Sequence, residues 1–199
     1  ESVAVDDHFN FIPGSEEMIP CDTLLLSVGL IPENELSKKA GVKLDPVTGG
    51  PYVDETFQTN VPGIFAAGNV VHVYDLVDWV SEAGFEAGVG AAHFARTQKQ
   101  RETDYVMVKA GRNVRYVVPH KISRNALEAG EVKLQMRVTK PIEEPVWVEV
   151  SDGQNQITRR SERYVRPGEM VSVMLKAAQA AALGAAAEIV VDVYPRSEA

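Results

Sequence analysis

VPGIFAAGNV, residues 61–70, is a short apolar run that ends on small residues and a Gly68-Asn69 pair. It has the texture of a buried strand stopping at a small-residue turn. Chains place small residues at such a turn where the backbone must come very close to another group. A glycine- and alanine-rich helix is expected next, over residues 76–96. Within it Val80, Ala83, Gly84, Ala87, Gly88, Ala91 and Ala95 recur at helical spacing and form one narrow face of small side chains. Each glycine inside a helix costs ~1 kcal/mol relative to alanine, so Gly84, Gly88 and Gly90 need a reason. One reason is close packing of the helix on a sheet. Another is a helix whose free N–H groups and positive dipole end point at an electron-rich ligand atom.

Upstream of this stretch, residues 3–5 read as a short β segment. FNFIPGSEEMIP (9–20) reads as a hairpin returning through Pro13-Gly14. DTLLLSVG (22–29) is a continuous apolar run, the pattern of a strand buried on both faces. Cys21 precedes it and reads as a structural rather than a redox cysteine. In IPENELSKKAG (31–41), Pro32 stops the strand, Asn34 can cap a short helix and Gly41 ends it. Turn signals follow at Asp45-Pro46 and at Gly49-Gly50-Pro51.

Downstream, TQKQRETD (97–104) is polar and lacks an apolar period, so it reads as a linker or a frayed helix end. Beyond it come YVMVKAG, NVRYVVP, VKLQMRVTK, PVWVEVSD, QITRRSERYV, EMVSVML and AEIVVDVYP. These short alternating runs are separated by glycine, proline or Asp-Gly. That is the pattern of a small antiparallel β-sandwich. KAAQAAALGAAA (176–187) is the exception. Its alanines favour a helix that Gly184 ends or kinks, and a surface loop is the other reading.

Composition limits the function classes. Hydrophobic residues make up 45% and charged residues 24%, enough for a genuine core, and the net charge is −8. A net acidic chain is poorly matched to nucleic acid or to an anionic membrane surface. No apolar run approaches the ~20 residues of a membrane span. One cysteine excludes an internal disulfide framework and a CxxC pair, and it fits a cytoplasmic protein. His8, His93 and His120 show no metal-ligand spacing, so no metal is expected. Arg159, Arg160, Arg163 and Arg166 read as a solvated strand face or a partner-docking patch.

Taken together, TNVPGIFAAGN (59–69), its run-in DETFQ, the small-residue helix, and the upstream CDTLLLSVGLIPEN with Gly29 and Pro32 resemble FAD-dependent pyridine-nucleotide-disulfide oxidoreductases. The resemblance covers residues 1–98. It implies an α/β (α+β) part of an FAD/NAD(P)-binding domain over 1–98, while the linker at 99–104 and the all-β, sandwich-like domain over 105–199 are read from the pattern of the runs themselves. It also implies that the chain is the C-terminal portion of a longer oxidoreductase, with the nucleotide-binding GxGxxG motifs upstream of Glu1.

In that family the turn at Gly68 passes beside the ribityl and pyrophosphate arm of FAD. The side chain after it, here Asn69, bonds a ribityl hydroxyl, with Val70 following. The next helix presents its N-terminus to the flavin ring, which places Ser81, Glu82 and Ala83 at that turn. Gly29 belongs to the companion motif. The cofactor-binding residues implied are therefore Gly29, Gly68, Asn69, Val70, Ser81, Glu82 and Ala83, with FAD and NAD(P) as cofactors. Asn69 departs from the family's acidic residue and removes a negative charge near the pyrophosphate. His72, Tyr74 and Asp75 either face the substrate side or pack on the neighbouring domain. Catalytic residues are not assigned. The implied activity is hydride transfer between NAD(P)H and flavin, with electrons passing to an acceptor or partner subunit. The expected partner is a second copy in a homo-oligomer or a partner oxidoreductase subunit. The alternative is a non-catalytic interaction module that keeps the fold and docks a partner through its β domain.

Overall fold

The computed structural model describes residues 1–6, 8, 10–27, 29–97, 104–180, 183 and 186–198. The chain divides into two compact units, Glu1–Leu30 and Ile31–Ala199.

In Glu1–Leu30 two isolated antiparallel bridges, Ser2 with Glu17 and Val5 with Phe11, join the arms of a hairpin. The reversal lies between Val5 and Phe11, where the Asp6 carboxylate accepts the N–H groups of His8 and Asn10 at 2.8 and 2.9 Å. This corrects the expected return at Pro13-Gly14. Those residues form a turn inside the second arm, closed by the Ser15 N–H on Ile12 O. The run expected as a buried strand is exposed: Leu24, Leu25 and Leu26 are 74%, 88% and 75% accessible, and Cys21 is exposed too. A run of that composition becomes a buried strand only when neighbours pair with its edges and cover its faces.

In Ile31–Ala199, α1 (Glu35–Lys39) is followed by turns that lead to a 3-10 turn at Gly68–Val70. Next comes α2 (Val77–Thr97), within one residue at each end of the helix expected at 76–96. Eight strands follow: β1 (Tyr105–Ala110), β2 (Val114–Val118), β3 (Lys121–Ser123), β4 (Val132–Val138), β5 (Val146–Ser151), β6 (Gln156–Glu162), β7 (Val171–Leu175) and β8 (Glu188–Pro195). Two short helices, α3 (Arg124–Ala129) and α4 (Ala177–Ala180), interrupt them, so the region is not all-β. Gly184 and the interior of the linker lie outside the described residues.

The strands form two sheets, ordered β3-β1-β8-β5-β6 and β2-β4-β7. The pairing is antiparallel except between β1 and β8, which run parallel, a second correction to the antiparallel expectation. Alternation explains how the sheets are covered. On β4, Val132, Leu134, Met136 and Val138 enter a core shared with Val146, Val148 and Val150 of β5 and Ile189, Val191 and Val193 of β8. Lys133, Gln135 and Arg137 of β4 point the other way. On that side Tyr116 and Val118 of β2 join a second core with Val53, Phe57, Val71 and Tyr74 and with Ala83 and Ala87 of α2. The β2-β4-β7 sheet is therefore the middle of three layers, with the larger sheet on one side and α2 and its preceding loops on the other.

Of the small-residue face of α2, only Ala83 and Ala87 are buried. Gly84 and Gly88 are exposed, with no heavy atom within 4 Å of where a Cβ would sit. Gly84→Ala and Gly88→Ala are each expected to stabilise the chain by about 1 kcal/mol, because alanine restricts the unfolded backbone and meets nothing in the fold. Thermal unfolding of the two variants checks this, and a lower melting temperature would count against it.

Candidate functional site

The stretch 61–70 starts in a tight turn. Thr59 N–H bonds to Ile64 O, Ile64 N–H bonds to Val61 O, and Gln58 pairs with Phe65 in a single antiparallel bridge. Residues 64–67 are extended but only partly buried, so the strand expected here is one arm of a small hairpin. The arm ends where Gly68 takes φ +74°, a left-handed conformation that costs other residues roughly 1–2 kcal/mol. A Cβ on Gly68 would also lie 3.3 Å from Cγ1 of Val80, in the first turn of α2. The 3-10 turn and the start of α2 therefore adjoin.

Two buried features hold that turn from behind. Asn34 donates through its Nδ2 to Gly49 O at 3.0 Å and to Val70 O at 2.8 Å, and its Oδ1 accepts the Ser37 hydroxyl at 2.7 Å. It precedes α1 as expected, but its side chain caps no backbone N–H of that helix. It ties together three loops instead. Gly50 packs directly on the next residue of the turn: a Cβ there would lie 1.7 Å from Val71 O.

The expected site residues then separate by role. Gly68 is buried, Val70 is half-buried, and Asn69 is exposed with its Oδ1 accepting the Tyr74 N–H at 3.1 Å. Ser81, Glu82 and Ala83 are not at the N-terminus of α2. The helix starts at Val77, so they occupy its second turn, and the uncommitted N–H groups belong to residues 77–79. Ser81 Oγ donates to Val77 O at 3.0 Å, Glu82 pairs with Lys133 of β4, and Ala83 is in the second core. Gly29 lies in the Glu1–Leu30 unit, is exposed and has φ +102°.

His72, Tyr74 and Asp75 pack on the β strands. Asp75 accepts from the Arg137 guanidinium and from Met170 N–H at 2.5 Å. Arg137 also donates to Val73 O at 2.9 Å, and the Tyr74 hydroxyl meets Gln135 at 3.4 Å. His72 is 1% exposed and its Nδ1 lies 3.4 Å from the Tyr116 hydroxyl. Burial first, then the charges of Arg137 and His120, push its pKa down to about 3. Burial raises the Tyr74 hydroxyl pKa.

The sequence reading missed a second anchor between loop and sheet. Glu55 accepts from Ser123 N at 3.0 Å and from its hydroxyl at 2.6 Å, while Ser123 Oγ accepts the Ala126 N–H and caps α3. Burial raises the Glu55 pKa against the pull of these bonds. The signal was present in SRNALEAG, a serine N-cap with a glycine just past the helix. Three of the four arginines expected on a solvated face have local partners. Arg159 lies over the Trp147 ring at 4.3 Å, Arg160 pairs with Glu162 and Arg166 with Glu143. Among the described residues there is no group of three or more His, Cys, Asp or Glu side chains able to hold a metal, and no helix long and apolar enough to cross a membrane.

The comparisons with known proteins fall on this same region. The family model of pyridine nucleotide-disulphide oxidoreductases matches residues 1–84. The chain is 43% identical to mitochondrial dihydrolipoyl dehydrogenase of Mesocricetus auratus over 60 residues, 29% of this chain and 12% of that protein. It is 41% identical to thioredoxin reductase of Listeria monocytogenes over 59 residues, 30% of this chain and 18% of that enzyme. The similar stretch is thus a small part of either reductase. An uncharacterized protein in the ansA 5' region of Bacillus licheniformis is 31% identical over 98 residues, 48% of this chain and 80% of that protein. No solved structure matches at a significant level. The Gly68 turn set against the start of α2 lies within the stretch, residue 1 into that helix, that is similar to the pyridine nucleotide-disulphide oxidoreductase family.

Proposed function

We propose that this chain is the flavin-facing C-terminal portion of an FAD-dependent oxidoreductase that exchanges a hydride with NAD(P)H and passes electrons to an acceptor or a partner subunit. The observation that supports it is the juxtaposition of the left-handed Gly68 turn with the first turn of α2. The residues present suit the cofactor. The turn carries an exposed amide side chain at Asn69, and α2 offers the uncommitted N–H groups and positive dipole end of a 21-residue helix.

In this reading FAD supplies the redox chemistry, and the chain supplies position and field. Gly68 keeps a side chain out of the path of the ribityl arm. Asn69 would hold the cofactor through its amide N–H groups, while its Oδ1 fixes the loop on Tyr74. The helix start favours negative charge that develops on the flavin ring. Asn34 and Gly50 hold the turn in register. Glu82 and Ala83 serve the packing of α2 on the sheet rather than the cofactor. The single free cysteine suits the reducing conditions of the cytoplasm.

Flavin retention in an Asn69→Ala variant tests the reading. The substitution removes one hydrogen bond to an exposed loop, worth about 1 kcal/mol, so the fold should survive. The natural polypeptide carrying this sequence is expected to hold flavin, and the variant to release it more readily. Unchanged retention would remove Asn69 from the site. The interaction-module reading predicts a folded polypeptide that never carries flavin.

A further inference from the structure

We propose that His72 is a proton-operated latch: its neutral imidazole holds residues 71–75 against β2 and β4, and its protonation releases that segment while both sheets stay formed.

The geometry gives a protonated ring nowhere to stay. His72 is enclosed by Tyr74 on its own segment, with ring centroids 4.2 Å apart, and by Tyr116 of β2 at 5.6 Å. Its Nε2 is buried and has no hydrogen-bond partner. The charged group that reaches it from β4 is the cationic Arg137, which is already bonded to Val73 O and Asp75. From the loop after β2 comes His120, whose Nδ1 accepts the Val53 N–H and whose Nε2 lies 3.8 Å from Asp45. From α2, Glu82 and Glu86 act on Tyr74, and Glu82 is paired with Lys133. No described carboxylate hydrogen-bonds His72. A second proton on the ring would place an N–H without an acceptor beside a guanidinium, and the ring must move out to be solvated.

Release is local because the neighbours of His72, namely Val71, Tyr74 and Tyr116, belong to the second core, while the two sheets are joined by the first. Besides His72, the segment is held by the packing of Val71 and Tyr74 in the second core, the Asn69 bond to Tyr74 N–H, a 3.4 Å contact from Tyr74 to Gln135, and the bonds of Arg137 and Met170 to residues 73 and 75. Opening breaks these contacts and leaves the first core intact. The sign follows from the depressed pKa. The closed segment disfavours the proton that the open one accepts, so the holding energy is complete above the ordinary histidine pKa of 6.5 and is lost as pH falls toward about 3. Within that window each pH unit raises the opening equilibrium about tenfold. Nothing in the latch depends on a bound flavin.

Amide hydrogen exchange on the full chain, expressed as protection factors, tests the latch. Between pH 7 and pH 4.5, protection of peptides spanning 71–75 is expected to fall about 100-fold, with β4 and β7 unchanged. In His72→Gln, which keeps a polar contact for Tyr116 but does not titrate, the same change should shrink to a few-fold at most. An equal fall in His72→Gln overturns the latch, and so does parallel loss of protection in β4 and β7. If His72→Gln fails to fold, histidine NMR of the wild-type chain decides. Protonation of His72 should coincide with opening of 71–75, and a protonated ring inside a segment that stays protected overturns the proposal.

Discussion

Gly50→Ala is expected to destabilise the Ile31–Ala199 unit by about 3 kcal/mol, although it adds one methyl group to a turn. The cause is overlap rather than backbone conformation, since Gly50 is absent from the left-handed residues. The new Cβ would lie 1.7 Å from Val71 O, 2.4 Å from Val71 C and 2.7 Å from Val71 Cα. All three are backbone atoms that cannot rotate away, so either the 45–50 turn or the segment after Gly68–Val70 must shift. Denaturant unfolding of the full chain measures the loss, and a change below about 1 kcal/mol would mean that the two loops do not meet in solution. The contrast with Gly84 and Gly88, where the same methyl group meets open space, makes the set internally controlled.

Asn34→Ala should cost about 2–4 kcal/mol, since it leaves two carbonyls in a buried setting without their donor. Asn34 is 5% exposed and spends its amide nitrogen on Gly49 O and Val70 O, 15 and 36 residues away in sequence. Asn34→Asp is the sharper variant. It preserves shape and the acceptor for Ser37 but sets a carboxylate oxygen against those same two carbonyls. It should be at least as damaging as alanine at neutral pH and should recover as the carboxyl takes up a proton in acid. Equilibrium unfolding at two pH values reads both effects, and a neutral Asn34→Asp would show that the bridge is not formed.

The sequence carried the fold wherever a local pattern is enough. Strict alternation in VKLQMRV and VWVEV marks strands with two different faces, and the small-residue period marks α2 to within one residue. Other features depend on residues far apart. The parallel pairing of β1 with β8 joins strands separated by six others, and KIS is too short to show any period. The apolar run 22–29 has a buried strand's composition, but burial comes from neighbouring strands, and here the leucines are exposed.

The candidate site divides in the same way. The small-residue turn at Gly68 was legible as a place of close approach, whereas its left-handed conformation is seen only in the fold. Asn34 was readable only as a cap, because the carbonyls it serves are placed by the fold. Ser81, Glu82 and Ala83 were placed by the family resemblance, and the helix that starts at Val77 puts them in its second turn. Arg137 has no sequence signal, since its role is set by strand β4 facing the loop at 73–75.

The most direct test of the flavin assignment is anaerobic titration with NADH and NADPH of the natural polypeptide carrying this sequence, purified without added cofactor and followed through the visible flavin band. The account predicts bound flavin that one of the two nucleotides bleaches. A folded polypeptide that carries no flavin and takes none up from added FAD would contradict it.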